Sequence, residues 1–258
     1  MTTLLVDLGN TRIKWARFGG GRLGRQQAAA HAGWTTADFL RALAPALRGV
    51  DAVLAVSVAG ARLDRRFARA VVAACGHRPR FVAATRRAGG VTNGYRDIWR
   101  LGADRWVAAI GGYAWPPRQR RPVCVVDIGT AMTIDLVDAR GRHLGGAIVP
   151  GPELMVKSLL RDTGGIRRRA DGRAARARPG SSLFARSTRD ALEAGARHAV
   201  AATIDRAYAA ARAATGTAPR LLLTGGAAGA VGRDLKSPHT VIPDLVLRGL
   251  AALAAPLP

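Results

Sequence analysis

Cysteine is almost absent: Cys75 and Cys124 are the only two in 258 residues. Two thiols exclude a disulfide framework, and no Cys/His spacing suits a metal. Each lies in an apolar run, VVAAC and VCVVD, which predicts a buried thiol. Aromatic residues make up 5% of the chain and do not interleave with the basic residues, as a stacking surface for nucleic acid would require. Acidic residues are scarce, 17 against 40 Lys plus Arg, for a formal net charge of +23. Lysine occurs only at positions 14, 157 and 236, so the excess is arginine. It is spread along the whole chain and forms no single patch, which argues against direct nucleic-acid function. A positive field would still draw an anionic small substrate. No run of about 18 apolar residues exists, so no membrane-spanning helix is expected. The N-terminus enters an apolar strand (TLLVDLG) without a charged leader, and a cytoplasmic location is the expectation.

The chain is 48% hydrophobic, mostly Ala, Val and Leu, enough for a substantial core. Strands are expected at TLLVDLG and RIKWARF, with a third near residues 23–28. Phe39, Leu40, Leu43 and Leu47 recur at helical spacing and predict a helix over 36–47. A buried strand at 52–58, a helix at 61–75 and a strand at 80–85 follow. The segment 90–102 reads as a loop, and a helix starts near Ala103. The polar, Pro-rich PPRQRRP at 116–122 predicts a domain boundary, giving domains 1–118 and 119–258. The second half opens with three strands, VCVVDIG, TAMTIDLVD and RHLGGAIVPG, then a helix at 152–161. Residues 162–186 are Arg- and Gly-rich without periodicity and read as a loop. A helix over 188–214, a strand-turn RLLLTGG at 220–226 and a helix at 244–253 complete an α/β pattern.

The chain repeats itself once. LLVDLGNTRIKW and CVVDIGTAMTID each read apolar strand, Asp-x-Gly, Thr-containing turn, strand, with Asp7 and Asp127 120 residues apart. The repeat predicts two similar α/β domains facing a cleft. A lone Asp-x-Gly is ordinary strand-ending turn chemistry. Two copies in matching contexts, with LTGG downstream, point instead to phosphate. Glycine lets the backbone approach a phosphate closely, turn N–H groups and Thr hydroxyls donate to its oxygens, and Asp can hold Mg²⁺.

In order along the chain stand DLGNTRIK (7–14), NGY (93–95), LGADR (101–105), DIGTAMTID (127–135), GGAIVPG (145–151) and LTGG (223–226). This series resembles the type III pantothenate kinases of the acetate and sugar kinase/Hsp70/actin superfamily, a family that includes Bvg accessory factor-like proteins. The resemblance implies duplicated ribonuclease H-like domains with mixed sheets flanked by helices. It implies transfer of the γ-phosphoryl of ATP to pantothenate, the first step of coenzyme A biosynthesis, by a homodimer. Asp7, Leu8, Gly9, Asn10, Thr11, Arg12, Ile13 and Lys14 would form the first ATP segment, with Thr130, Gly225 and Gly226 as further ATP contacts. Asp7 would hold Mg²⁺, directly or through water, and Asp127 a monovalent cation, K⁺ or NH₄⁺. Tyr95, Gly102, Ala103, Asp104, Arg105 and Thr188 would bind pantothenate, with Asp104 as catalytic base. The family often has Pro three residues after the tyrosine; here Ile98 stands there, and the loop lacks proline's fixed φ.

Plainer roles compete at several positions. Lys14 could be a solvated strand lysine, Asp104 a helix cap, Arg105 a surface cation, and Tyr95 a packed aromatic. Asp127 could instead be a second Mg²⁺-associated carboxylate, and Asp135 reads as structural. Two other functions stay open: a regulatory accessory protein that binds nucleic acid or a transcription factor, and a kinase for a different small alcohol.

Overall fold

The computed structural model describes residues 1–115, 121–170 and 182–255. The link at 116–122 therefore lies mostly outside the described residues, as does the middle of the Arg-rich segment 161–187. Two compact units form. One comprises Met1–Gln119, Gly141–His143 and Asp244–Pro258; the other comprises Arg120–Arg140 and Leu144–Pro243.

The first unit opens with β1 (Thr2–Leu8), β2 (Arg12–Gly19), β3 (Arg22–Leu23) and β4 (Gln27–Ala30). It continues with α1 (Thr36–Leu47), β5 (Ala52–Ser57), α2 (Ala61–Cys75) and β6 (Arg80–Phe81). A small hairpin of β7 (Arg87–Ala88) and β8 (Val91–Thr92), a 3-10 turn at Ile98–Arg100 and α3 (Ala103–Ala114) follow. The main sheet runs β3-β2-β1-β5-β6, with β4 also on β2. β1 is antiparallel to β2 and parallel to β5.

Two sequence expectations shift here. The single third strand is two short strands on β2, because the pairing slips by one residue between Phe18–Leu23 and Trp15–Gln27, as at a β-bulge; the Gly24 N–H still donates to the Arg17 carbonyl at 2.8 Å. The strand expected over 80–85 pairs only at Arg80–Phe81.

In the second unit β9 (Val123–Ile128), β10 (Ala131–Val137) and β11 (His143–Pro150) lead into α4 (Pro152–Asp162) and α5 (Gly164–Ala170). Then come α6 (Thr188–Thr215), β12 (Arg220–Thr224), α7 (Ala228–Gly232) and β13 (Thr240–Val241). The expected loop is thus partly helical, at Gly164–Ala170. The sheet order is β11-β10-β9-β12-β13, with β9 antiparallel to β10 and parallel to β12. Strand order and sense repeat those of the first unit, so the Asp-x-Gly repeat is a repeat of topology.

Side-chain alternation makes the match closer. Leu4, Val6 and Leu8 point into a core with α1 and α2, including Phe39, Leu43, Phe67 and Val71. Cys124, Val126 and Ile128 point into a core with α6 and α7, including Val200, Ile204 and Val231. Asp7 and Asp127 alternate with these residues, so each projects from the other face of its own sheet.

The last helix, α8 (Leu245–Ala254), belongs with the first unit although it ends the chain. A linear cut at 118/119 separates it from that unit. It lies on α3 at very short range: a Cβ on Gly111 would fall 2.4 Å from the Leu245 carbonyl oxygen, and one on Gly249 2.0 Å from that of Val107. Cys124 is buried as expected, whereas Cys75, at the last turn of α2, is only half-buried.

Candidate active site

The β1–β2 hairpin displays the first candidate segment. Leu8 and Ile13 are opposite each other and fully buried, so they anchor the turn and offer only backbone to a ligand. Gly9, Asn10, Thr11 and Arg12 make the bend; the last three are exposed. The Gly9 N–H donates to the Arg12 carbonyl at 3.0 Å and closes it. Asp7 and Lys14 are direct cross-strand partners, with Nζ 3.5 Å from Oδ2. Lys14 is therefore a half-buried, paired cation and not the solvated strand lysine that the sequence also allowed.

The β9–β10 hairpin repeats this arrangement with a turn one residue shorter. Ile128 faces Met132 and Asp127 faces Thr133, so Thr133 occupies the place of Lys14. Gly129 N–H donates to the Ala131 carbonyl at 3.0 Å. Two further glycine segments close on this bend. Gly151 N–H donates to the Thr130 carbonyl at 2.9 Å, and a Cβ on Gly151 would lie 2.1 Å from the Gly129 oxygen. Gly225 has φ +93°, and its Cβ would lie 2.4 Å from Asp127 Oδ1. Asp127, Thr130, Gly151, Gly225 and Gly226 thus gather in one place within the second unit. Gly151 ends the GGAIVPG motif, and its close approach depends on a turn some twenty residues earlier in the chain.

Just beyond Gly226 opens a cavity of about 590 Å³ between α4, α6 and α7, lined by Pro152, Arg189, Glu193, Arg197, Ala227 and Val231. Its size is in the range of small-molecule sites. At its wall Arg197 and Asp234 form a buried ion pair. A second, more apolar groove of about 550 Å³ lies between α4, α5 and α6 and contains Thr188, Met155, Leu159, Ile166 and Leu192.

In the first unit α3 carries Ala103, Asp104 and Arg105 in its first turn. A carboxylate there is favoured by the helix dipole, and Asp104 Oδ1 accepts the Arg105 N–H at 2.8 Å. Arg105 is buried, 5% exposed, which removes the surface-cation alternative. Its Nη1–H donates to the Tyr95 hydroxyl at 2.9 Å, and its guanidinium lies 5.7 Å from the Tyr95 ring centroid. The same ring meets His143 at 5.8 Å between centroids. Tyr95, Asp104 and Arg105 are thus brought together, while Thr188 belongs to the second unit.

Asn93 and His31, which no sequence motif gives a role, brace the candidate segments. Buried Asn93 accepts the Tyr95 N–H at 2.9 Å and donates to the Ile98 carbonyl at 3.2 Å. That bridge ties down the loop where Ile98 replaces proline. Asn-x-Tyr was the available signal, since Asn caps such turns through its side chain. His31 is hydrogen-bonded to the Gly9 carbonyl at 2.7 Å. No sequence signal marks it, because 22 residues separate the two.

No group of three or more His, Cys, Asp or Glu side chains able to cage a metal occurs among the described residues. One carboxylate, Asp7, beside an exposed turn suits Mg²⁺, which keeps waters and takes phosphate oxygens as ligands.

Residues 3–210 match the family model of the type III pantothenate kinases. The chain is 38% identical over 252 residues to the type III pantothenate kinase of Halorhodospira halophila, covering 96% of this chain and 95% of that one. It is 37% identical to that of Methylibium petroleiphilum, covering 99% of each. Among solved structures it resembles the activator of 2-hydroxyisocaproyl-CoA dehydratase from Clostridium difficile with bound ADPNP, at TM-score 0.54 and 15% identity, covering 98% of this chain and 93% of that one. That likeness is one of fold.

Proposed function

Given that this chain belongs to the type III pantothenate kinase family, we propose how its residues divide the work of moving the γ-phosphoryl of ATP to the primary hydroxyl of pantothenate, the first step of coenzyme A biosynthesis. Phosphoryl transfer asks a protein mainly for positioning and charge stabilisation. The hairpin turn at Gly9–Arg12 offers N–H groups and the Thr11 hydroxyl to phosphate oxygens, with Lys14 as a point charge behind them. Bound at Asp7, Mg²⁺ would supply charge neutralisation on the phosphates. The turn of Gly129 and Thr130, backed by Gly225 and Gly226, forms the further phosphate segment. The 590 Å³ cavity beyond Gly226 takes the adenosine. Asp127 would supply a carboxylate oxygen to K⁺ or NH₄⁺.

The reading rests most on the trio Asp104, Arg105 and Tyr95. Asp104 accepts the hydroxyl proton of pantothenate as the new P–O bond forms. Arg105, held by its bond to the Tyr95 hydroxyl, balances negative charge on the carboxylate of pantothenate or the transferred group. Thr188 contributes from the groove between α4 and α6. A homodimer joined through this apolar face is part of the proposal, as is a cytoplasmic location.

The test is ADP release dependent on pantothenate, Mg²⁺ and K⁺. Asp104→Asn is expected to lower kcat by about 10²-fold or more while pantothenate still binds. An Asp104→Asn enzyme as fast as wild type would remove Asp104 from the chemistry. A panel of other small alcohols run beside pantothenate fixes the acceptor.

A further inference from the structure

We propose that His31 is a positioning residue that sets the first phosphate turn for ATP. The inference rests on the reading of Gly9–Arg12 as that turn. His31 is 3% exposed and follows directly after β4. Its ring lies 6.4 Å from Trp34 and 6.5 Å from Phe39 between centroids, and Phe39 stacks edge-on with Trp34 and Phe67. An imidazole held among core aromatics has little rotational freedom, and its Nε2 is 2.7 Å from the Gly9 carbonyl oxygen. A carbonyl can only accept, so Nε2 carries the proton and donates. The His31 backbone N–H also donates to the Thr11 carbonyl, at 3.3 Å. Two carbonyls of the bend are thereby turned toward β4.

The consequence follows from peptide geometry. In a trans peptide the C=O and the following N–H point in opposite directions. Fixing the Gly9 carbonyl on His31 therefore points the Asn10 N–H away from His31, on the exposed side of the turn where Asn10 and Thr11 lie. The Gly9 N–H on Arg12 fixes the preceding Leu8–Gly9 peptide, and the His31 bond to the Gly9 carbonyl is what holds the Gly9–Asn10 peptide against a flip. An N–H fixed in advance toward the phosphate costs no reorganisation when ATP binds, which is the advantage of a preorganised donor. Without His31 the Gly9 carbonyl would lose its partner and could rotate to face the anion.

The experiment compares His31→Leu, which removes the donor, with His31→Gln, whose amide N–H can reach the same carbonyl. Both are made in the full-length enzyme. KM for ATP and for pantothenate, and Kd for MgADP and for adenosine, are measured beside Tm. His31→Leu is expected to raise KM for ATP and Kd for MgADP by about tenfold, and His31→Gln to recover most of that loss. KM for pantothenate and Kd for adenosine stay at wild-type values in both. A residue that only fills the core would shift Tm and leave MgADP binding alone. Wild-type MgADP affinity in His31→Leu overturns the proposal, and so does equal weakening by Gln and Leu. If His31→Leu does not fold, His31→Asn replaces it, since its shorter amide cannot reach Gly9; equal MgADP affinity in Asn and Gln then overturns the proposal. Lys14→Met separates the two levels. Weakened MgADP binding in Lys14→Met with normal binding in His31→Leu ends the His31 proposal alone. Normal binding in both ends the phosphate role of the turn as well.

Discussion

Asp104 depends on the residue two places before it. Gly102 has ordinary backbone angles, so alanine would fit its φ and ψ; the conflict is steric, since a Cβ there would lie 2.7 Å from Asp104 Oδ1. Gly102→Ala should push the carboxylate aside, and a misplacement of that size costs about 10²-fold in rate. The expected result is a fall in kcat with little change in Tm, measured by steady-state kinetics and thermal melting. The two thiols differ in a similar residue-level way. Burial first, and the charge of Asp135 second, push the Cys124 thiol from 9.0 up to about 12. Cys75 is half-buried, its thiol donating to the Val71 carbonyl at 3.3 Å. A thiol reagent should modify Cys75 in the native protein and Cys124 only after unfolding. The unfolded chain releases the Cys124 proton near pH 9.0 while the folded chain holds it to about 12. Stability contributed by this thiol is therefore complete below that window and lost as pH rises across it. Cys124→Ala should flatten that part of the denaturation profile.

The elements that the sequence predicted best are those with a local stop or start signal. α1 begins at a capping box in which Thr35 and Asp38 satisfy each other's backbone N–H. α2 ends at Gly76 in the left-handed region. The short strands β6, β7, β8 and β13 were missed or overextended, because each exists only through pairing with a neighbour. α5 was missed because Gly-Gly and a run of arginines carry no apolar periodicity. α6 and the segment after α7 are joined by the Arg197–Asp234 pair, whose side chains are 7% and 2% exposed. Removing either partner takes the ion pair away from a buried charge. Arg197→Ala should cost about 3–5 kcal/mol, while Arg197→Met with Asp234→Leu should be near neutral. Urea unfolding of the three proteins measures the difference.

At the scale of the whole molecule two features call for a partner. One is the +23 charge, which suits anionic ATP. The other is apolar surface on the second unit: Leu144 and Ile148 on edge strand β11, and Leu154 and Leu159 on α4, are all exposed. An apolar edge strand invites pairing. The proposed homodimer covers this face, and Ile148→Asp with Leu159→Asp should shift the protein from dimer to monomer in sedimentation velocity. A wild-type monomer at the same concentration would contradict the dimer.

By itself the sequence determined the residue types and the elements that carry them: two Asp-x-Gly hairpins, the GADR helix start, the glycine turns and an α/β order. These are legible because turn chemistry and helical or strand periodicity act over a few neighbouring positions. Tertiary structure alone decided that His31 holds Gly9, that Tyr95 steadies Arg105, that Gly151 and Gly225 close on the Asp127 turn, and that α8 packs on α3. Each of those links joins residues 10 to 142 positions apart, and each depends on hydrogen-bond geometry or on a missing Cβ at a crossing. Neither leaves a pattern along the chain, because a contact between distant residues is chosen by the shape that the whole core allows.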